Sequence, residues 1–89
     1  MNIYVIETKD KAYLKVGVAG CVASRLKQLQ TGNPQELSVV STYEYETSEQ
    51  AFKMEKIIHK KLKSKRITGE WFTNVLPSDI ERIIISNRA

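Results

Sequence analysis

Two apolar segments joined by a polar turn decide the fold of this chain: residues 2–18 read NIYVIETKDKAYLKVGV. Residues 2–7 and 12–18 are rich in Val, Ile and Tyr, which favour β-strands. Residues 8–11 between them are polar and typical of a turn. The stretch therefore predicts a β-hairpin at the start of the chain.

The two faces of the second predicted strand differ in character. Because successive side chains of a strand point to opposite faces, Tyr13, Lys15 and Gly17 share one face, and the opposite face is apolar. Tyr4 lies on the first strand, which we expect to pair with the second. A lysine beside a tyrosine favours phenolate and lowers the pKa of the tyrosine, as a general base requires. The alternative is that the tyrosines pack across the strands and Lys15 is an edge charge.

Two further elements follow the hairpin. Val22, Leu26 and Leu29 repeat at the spacing of a short amphipathic helix, which residues 31–34 (TGNP) end. Residues 37–45 alternate as a third strand does. The side chains expected on one face of this strand are Leu37, Val39, Ser41, Tyr43 and Tyr45.

The clearest helix signal comes next. Thr47 and Gln50 are spaced as the N-cap and N3 positions of a capping box. Apolar residues then recur at helical spacing and predict a helix of roughly four turns. The residues of this apolar stripe are Ala51, Met54, Ile58 and Leu62.

The last third of the chain contains shorter elements. Gly69 ends a basic stretch, and residues 70–72 (EWF) form a short strand or a turn held against the core. Residues 78–81 (SDIE) form a second capping box that opens a helix over about 78–87. The inward side chains expected on this helix are Ile80, Ile83 and Ile84. The order predicts an α+β fold with a small, mainly antiparallel three-stranded sheet flanked by helices.

Length and composition limit the classes of function. Eighty-nine residues allow one domain, 1–89, and exclude a multidomain enzyme. With a single cysteine, Cys21, and a single histidine, His59, neither a disulfide framework nor a thiolate zinc site is expected. A metal would be held by carboxylate and water, which favours Mg²⁺ or Mn²⁺. The apolar run at residues 3–6 is too short for a membrane span, and a net charge of +4 permits a nucleic-acid partner.

Glu55 is an unusual residue on the predicted long helix. It lies four residues after Ala51 and three before Ile58, within the apolar stripe rather than opposite it. A carboxylate there needs a partner or a metal ion, because burying an unpaired charge is costly. The alternative is an ordinary pair with a nearby lysine. His59, one turn later, is either part of a site or a hydrogen-bonded, half-buried histidine.

Positive charge gathers on the other side of the same helix and in the segment after it. Such a strip would contact phosphates through salt-sensitive binding, or it is a solvated helix face. Arg25, beside the apolar stripe of the first helix, is likewise a phosphate clamp or a surface arginine. The residues of the basic strip are Lys53, Lys56, Lys60, Lys63, Lys65 and Arg66.

Taken together, these residues resemble the GIY-YIG nuclease superfamily over about residues 2–74. The segments 2–4 (NIY) and 15–17 (KVG) stand where that family has its two triplets, ten residues apart. The segments 25–34, 55–59 and 69–72 resemble a branch found in phages and mobile elements. The same domain type is described in meiotically up-regulated gene proteins.

The resemblance implies roles for individual residues. Tyr4 would be a general base that Lys15 poises, Arg25 would stabilise charge on the phosphate, and Glu55 would be the one protein ligand of hydrated Mg²⁺ or Mn²⁺. His59 would orient water or phosphate. Lys15 replaces the tyrosine of the second triplet, and Tyr13 is a candidate substitute for the missing ring. Glu70 would contact the outer shell of the metal or hold the basic loop.

The resemblance therefore implies a metal-dependent endonuclease that nicks one strand of double-stranded DNA per encounter. We expect it in the cytoplasm of a bacterial or phage-infected cell, not in a membrane, and its small size permits a monomer. Two alternatives stay open. A DNA-binding module of the same fold would lack efficient cleavage, and an interaction protein would carry a sizeable exposed apolar patch.

Overall fold

The fold consists of one five-stranded sheet with helices on both faces. The computed structural model describes residues 1–87. The strands and helices are β1 Asn2–Thr8, β2 Tyr13–Ala19, α1 Val22–Gln30, β3 Leu37–Glu44, α2 Ser48–Lys61, β4 Arg66–Thr68, β5 Trp71–Thr73 and α3 Pro77–Ser86. A turn of 3₁₀-helix, Lys63–Lys65, joins α2 to β4.

Every strand pair is antiparallel, in the order β3-β1-β2-β5-β4. The α+β class is as predicted, and β1, β2, β3, α1 and α2 lie close to their predicted positions. The prediction of three strands was wrong, since β4 and β5 extend the sheet to five. Each has only three residues, too few for a side-chain alternation, and they form a hairpin around Gly69. Their strand character comes from pairing with each other and with β2.

The two faces of the sheet are covered by different helices. On one face, here called the α2 face, α2 and α3 pack on Ile3, Val5, Leu14 and other apolar side chains. On the opposite face, the α1 face, α1 packs on Tyr4 and its neighbours. This division follows from the alternation of side chains along β1 and β2 that the sequence predicts.

A β-bulge in β3 corrects one predicted face. Val5 is opposite Ser41 but Ile6 is opposite Val39, so Val40 is an extra residue in the ladder. The bulge moves the following side chains to the other side of the sheet. Leu37 and Val39 therefore pack on the α1 face, whereas Tyr43 and Tyr45 pack on the α2 face.

The two helix starts that the sequence predicts have different outcomes. The capping box of α2 is confirmed: the Gln50 backbone N–H donates to Thr47 Oγ1 at 3.2 Å, and Thr47 N–H donates to Gln50 Oε1 at 3.4 Å. The second box, with Ser78 as N-cap, was wrong. Helix α3 begins one residue earlier, at Pro77, and the Asp79 carboxylate accepts from Leu76 N–H at 2.9 Å. Proline suits the first helical position because its missing N–H needs no partner there.

Helix α3 is slightly shifted from its predicted span of 78–87, and it ends at Ser86. Ile80 and Ile84 are buried as predicted, whereas Ile83 is only partly buried against the α2-face core. The last two residues of the predicted domain, 88 and 89, lie outside the described residues.

Candidate active site

The candidate site lies where the short strand β5 stops pairing with the central strand β2. Strand β5 pairs with β2 from Tyr13 to Lys15. One further bond runs from the Val16 N–H to the Glu70 carbonyl, at 3.2 Å. Within the described residues, no strand pairs with this side of β2 beyond that bond. The sheet edge is open there, and side chains from β1, α1, α2 and the β4–β5 turn converge on it.

Gly17 makes this convergence possible. It lies directly opposite Tyr4 in the β1–β2 pairing. A Cβ atom on Gly17 would overlap the Tyr4 hydroxyl and come within 2.6 Å of Glu70 Oε2. The tyrosine hydroxyl and the glutamate carboxylate therefore meet over the bare backbone of Gly17, which is an approach that any other residue would block.

The two oxygen atoms that meet at Gly17 are both buried and poorly satisfied. Neither Tyr4 Oη nor Glu70 Oε2 makes a hydrogen bond of regular geometry within residues 1–87. The Arg25 guanidinium of α1 approaches the Tyr4 hydroxyl closely enough to act on its pKa. Buried polar atoms without partners are costly and uncommon in folded proteins. Their clustering here indicates that the site is built to hold something polar.

Lys15 forms an ion pair with Glu70 and not with Tyr4. Its Nζ lies 3.5 Å from Glu70 Oε2, an ion pair longer than a regular hydrogen bond, and 5.5 Å from the centre of the Trp71 ring. Its side chain is only 12% exposed. Trp71 was not assigned a role from the sequence, because its contact with Lys15 depends on the register of β2 and β5.

The pKa of Tyr4 is raised, which is opposite to the predicted direction. Burial is the main cause, and the Glu70 carboxylate adds to it. Arg25 lowers the pKa in part but does not reverse the shift. The prediction that Lys15 lowers the pKa of Tyr4 was therefore wrong for the protein alone. The main physical reason is burial of the hydroxyl; in addition, the Lys15 charge is paired with Glu70, whose carboxylate also raises the pKa of Tyr4.

Glu55 and His59 enter the site from α2. Both are half-buried on one flank of the helix, next to its buried residues Met54 and Ile58. Burial raises the pKa of Glu55, and the Glu70 carboxylate raises it further, whereas His59 and Lys15 lower it. The Glu70 carboxylate thus makes Glu55 harder to ionise.

His59 is in the half-buried, hydrogen-bonded state that the sequence left open. Its Nε2 lies 3.1 Å from the Val16 carbonyl oxygen, and its ring meets Phe72 edge-on at 5.1 Å. As the Nε2–H tautomer, it donates to that carbonyl and leaves Nδ1 as an acceptor. Helix α2 is thereby tied to β2 beside Gly17, and Nε2 is not available for a substrate.

The site fits a hydrated divalent cation. Magnesium is satisfied by one or two protein carboxylates and keeps several waters. Within residues 1–87 no group of three or more His, Cys, Asp and Glu side chains could hold a metal. The opposed carboxylates of Glu55 and Glu70 and the orphaned hydroxyl of Tyr4 are nevertheless oxygen donors of the type that magnesium takes. A cation there would relieve the repulsion between the two carboxylates.

Tyr13 does not join this cluster. It lies two residues beyond Lys15 on β2, on the side away from Gly17, and its partner on β5 is Thr73. Its side chain is 41% exposed. The structure therefore separates Tyr13 from Tyr4, although both lie on the α1 face.

The predicted basic strip is solvent-exposed except at Lys65. With 100° of rotation per residue, Lys53, Lys56 and Lys60 lie within about 60° of one another, on the side of α2 away from its buried residues. Lys63 follows α2 in the 3₁₀ turn, and Lys53 also lines a groove with Glu44 and Glu46. Lys65 is half-buried and Arg66 is exposed at the start of β4.

Comparisons with known proteins assign a family. No helix among residues 1–87 combines the length and hydropathy needed to span a bilayer. No curated protein matches the chain, and no solved structure matches it. A family model, the T5orf172 domain, matches residues 1–87, almost the whole length. The chain therefore belongs to the T5orf172 domain family.

Proposed function

We propose that this protein is a metal-dependent DNA endonuclease of the GIY-YIG type, which nicks one strand of double-stranded DNA per encounter. The observation that carries the proposal is the convergence of Tyr4, Glu70, Arg25 and Glu55 around the bare backbone of Gly17. These groups come from four separate elements of the fold. A purely structural cluster would have no reason to bury a tyrosine hydroxyl and a carboxylate oxygen that make no regular hydrogen bond.

Tyr4 and Arg25 act on the water and the phosphate. Arg25 supplies a fixed positive charge beside the Tyr4 hydroxyl, where it would bind a phosphate oxygen and stabilise the charge that develops during hydrolysis. Tyr4 is a neutral phenol in the protein alone, so its hydroxyl first orients the attacking water. It can accept a proton from the water only as phenolate, after its own proton has left to solvent. Burial and the Glu70 carboxylate both oppose that ionisation, so it requires that the negative charge of Glu70 is offset.

Glu55 is the main ligand expected for Mg²⁺ or Mn²⁺, with Glu70 beside it. When bound, the cation supplies positive charge that offsets the charge building up on the phosphate. Lys15 holds Glu70 in place through the 3.5 Å ion pair. His59 fixes α2 against β2, so that the Glu55 side chain keeps its position relative to Tyr4.

DNA would approach over the open edge of β2. Lys56 follows Glu55 on α2, and Lys63, Lys65 and Arg66 lie in the segment after the helix. These groups would contact the backbone phosphates on either side of the cleaved bond. Lys53 shares a groove with Glu44 and Glu46 and is expected to contribute less.

One observation favours a second candidate, a DNA-binding module of the same fold without efficient cleavage. The pKa of Tyr4 is raised, and a tyrosine that resists ionisation is a poor general base. In such a module the basic surface would still bind phosphates, and the buried oxygens would be remnants of a former active site.

A plasmid-nicking assay decides between the two candidates. Supercoiled plasmid incubated with purified protein and Mg²⁺ is expected to convert to the nicked form, and chelation of the metal is expected to stop the reaction. Glu55→Ala and Tyr4→Phe should each reduce the rate about a hundredfold or more, which is the usual effect of losing a group that acts in the transition state. Melting temperatures of both variants show whether they remain folded.

Glu49→Ala is the matched control, because Glu49 is an exposed acid in the first turn of the same helix. It should cleave at the wild-type rate. A wild-type protein that binds DNA in a salt-sensitive way but never nicks it would contradict the endonuclease and leave the binding module.

A further inference from the structure

A groove of about 250 Å³ lies on the part of the α1 face that α1 does not cover. Its floor is formed by Tyr13 of β2 and Trp71 of β5, and Ile67 of β4 forms one wall. The other wall is the loop between α1 and β3, through Asn33 and Gln35. Tyr13 and Ile67 are 41% and 50% exposed, which is a large apolar surface for a domain this small to leave in water.

The polar groups that line the groove are hydrogen-bond donors. Asn33 Oδ1 accepts from the Gln35 backbone N–H at 3.0 Å, and Gln35 Oε1 accepts from the Asp10 N–H at 3.4 Å. Because a backbone N–H can only donate, these bonds fix which end of each amide is oxygen. The Asn33 NH₂ group is left without a partner among residues 1–87, whereas the Gln35 amide also donates to the Asp10 carboxylate. The groove thus combines aromatic surface with one free donor.

The described residues that line the groove are uncharged, and the nearby charges are those of the turn between β1 and β2. Lys9 and Lys11 lie in the turn between β1 and β2, whereas the Asp10 carboxylate of that turn is engaged by the Thr8 hydroxyl at 2.7 Å and the Ala12 N–H at 2.9 Å. The lining therefore permits an acceptor-rich ring, and the two lysines of the turn offset the charge of Asp10.

Strand β2 connects the groove to the candidate active site. Tyr13, Lys15 and Gly17 follow one another on the same face, so the groove and the Tyr4 hydroxyl are about 13 Å apart along the strand. Lys15 lies between them, with its Nζ over the Trp71 ring. A chain with phosphates that passes Lys15 would bring one of its bases over Tyr13 and Trp71.

We propose that this groove binds an unpaired nucleobase of the DNA strand whose phosphate lies at Tyr4. The inference rests on the proposed function and goes beyond it by naming the substrate: DNA with an unpaired or unstacked base near the cut. Aromatic side chains stack on bases, and the Asn33 amide would donate to a base carbonyl oxygen or ring nitrogen. Ile67 packs against the edge of the ring.

The chain contains its own probe, because Trp71 is its single tryptophan. We would titrate the protein with a short oligothymidylate and follow the fluorescence of Trp71. The comparison is an abasic oligonucleotide of the same length, which carries the same phosphates without bases. We expect the oligothymidylate to quench Trp71 and to bind about tenfold more tightly than the abasic strand.

Variants separate stacking from general effects. Tyr13→Ala should weaken oligothymidylate binding about tenfold, and Tyr13→Phe, which keeps the ring, should restore it. Ile67→Ala should weaken binding, whereas Ile85→Ala, which truncates an equally exposed isoleucine on α3, should not. Melting temperatures are measured for every variant.

The outcomes distinguish this inference from the proposed function. Equal affinity for the oligothymidylate and the abasic strand, or binding without quenching of Trp71, overturns the nucleobase groove and leaves a protein that binds DNA through its phosphates. If neither strand nor duplex DNA binds at low salt, the proposed function fails, and the groove proposal fails with it.

Discussion

The two faces of the sheet differ in how completely they are packed. On the α2 face, helix α2 buries Ala51, Met54 and Ile58 against an apolar core that also includes α3. On the α1 face, helix α1 has no buried residue at all, and the largest fully buried side chain is that of Tyr4. The α2 face therefore supplies most of the hydrophobic stabilisation, whereas the α1 face carries polar groups that packing alone does not justify.

This difference explains how a chain of only 89 residues stays folded although its candidate site contains buried polar groups that destabilise it. A small domain has little stability to spare, so unsatisfied buried oxygens must be offset elsewhere. Here one face is almost purely apolar and the other is open to a ligand. Because β1 and β2 contribute side chains to both faces, the polar cluster and the apolar core lie on opposite sides of the same two strands.

The largest expected effect comes from breaking the α2 face. Ile58→Ala removes a fully buried side chain and should destabilise the protein by about 2–5 kcal/mol, enough to unfold much of it at 37 °C. The equivalent truncation on the other face, Leu26→Ala, removes a half-buried side chain and should cost about 1 kcal/mol or less. Denaturant unfolding of both variants measures the difference. Equal losses would contradict the unequal packing of the faces.

A smaller effect is expected from a single methyl group at the junction of the faces. Gly17→Ala would push a Cβ into Tyr4 and Glu70, and we expect a loss of about 1–3 kcal/mol, typical of overpacking. Gly20→Ala is the matched control, because a Cβ there meets nothing within 4 Å and the backbone φ is not positive. Thermal melting should separate the two variants by several degrees. If Gly17→Ala has the melting temperature of the wild type, a Cβ fits at residue 17, which contradicts the close approach of Tyr4 and Glu70 to Gly17.

The smallest effect concerns the charge of Glu55. Because its pKa is raised in the folded protein, folding disfavours the ionised form, and stability is lost as the pH rises through that pKa. Glu55→Gln should therefore raise the melting temperature at pH 7 by a few degrees. This advantage should shrink as the pH falls and vanish below the ordinary glutamate value of 4.5.

A matched substitution and a titration with Mg²⁺ test whether the effect belongs to the Glu55 carboxylate. Glu49→Gln changes an exposed acid on the same helix and should give no gain at any pH. Mg²⁺ should stabilise the wild type but not Glu55→Gln, because a ligand stabilises only the state that binds it. A pH-independent gain for Glu55→Gln would show that the carboxylate is not penalised by its surroundings.

Much of the candidate site could be predicted from the sequence, but its electrostatics could not. The positions of Tyr4, Lys15 and Gly17 on one face follow from strand alternation, and the half-buried position of Glu55 follows from helical periodicity. The predicted direction of the Tyr4 pKa shift was wrong, because the shift depends first on burial of the hydroxyl and then on Glu70, which reaches the site from a distant turn. No local pattern shows which charge a lysine will pair with.

The bulge at Val40 and the hairpin of β4 and β5 were also beyond local patterns. The bulge sends Tyr43 and Tyr45 to the α2 face, and it is defined by the register of β3 against β1. The hairpin depends on pairing with β2 over only three residues. Both features arise between segments far apart in the chain.

The amino-acid sequence by itself determined the elements that have a period or a cap: the first hairpin, α1, β3 and α2 with its Thr47–Gln50 box. These depend on contacts within a few residues, which hydrophobic spacing and capping report directly. Only the tertiary structure decided that β2 has an open edge, that Gly17 lets Tyr4 and Glu70 meet, and that Lys15 faces Glu70 and Trp71. Those facts depend on which segments become neighbours in space, and burial and charge act between neighbours whatever their distance along the chain.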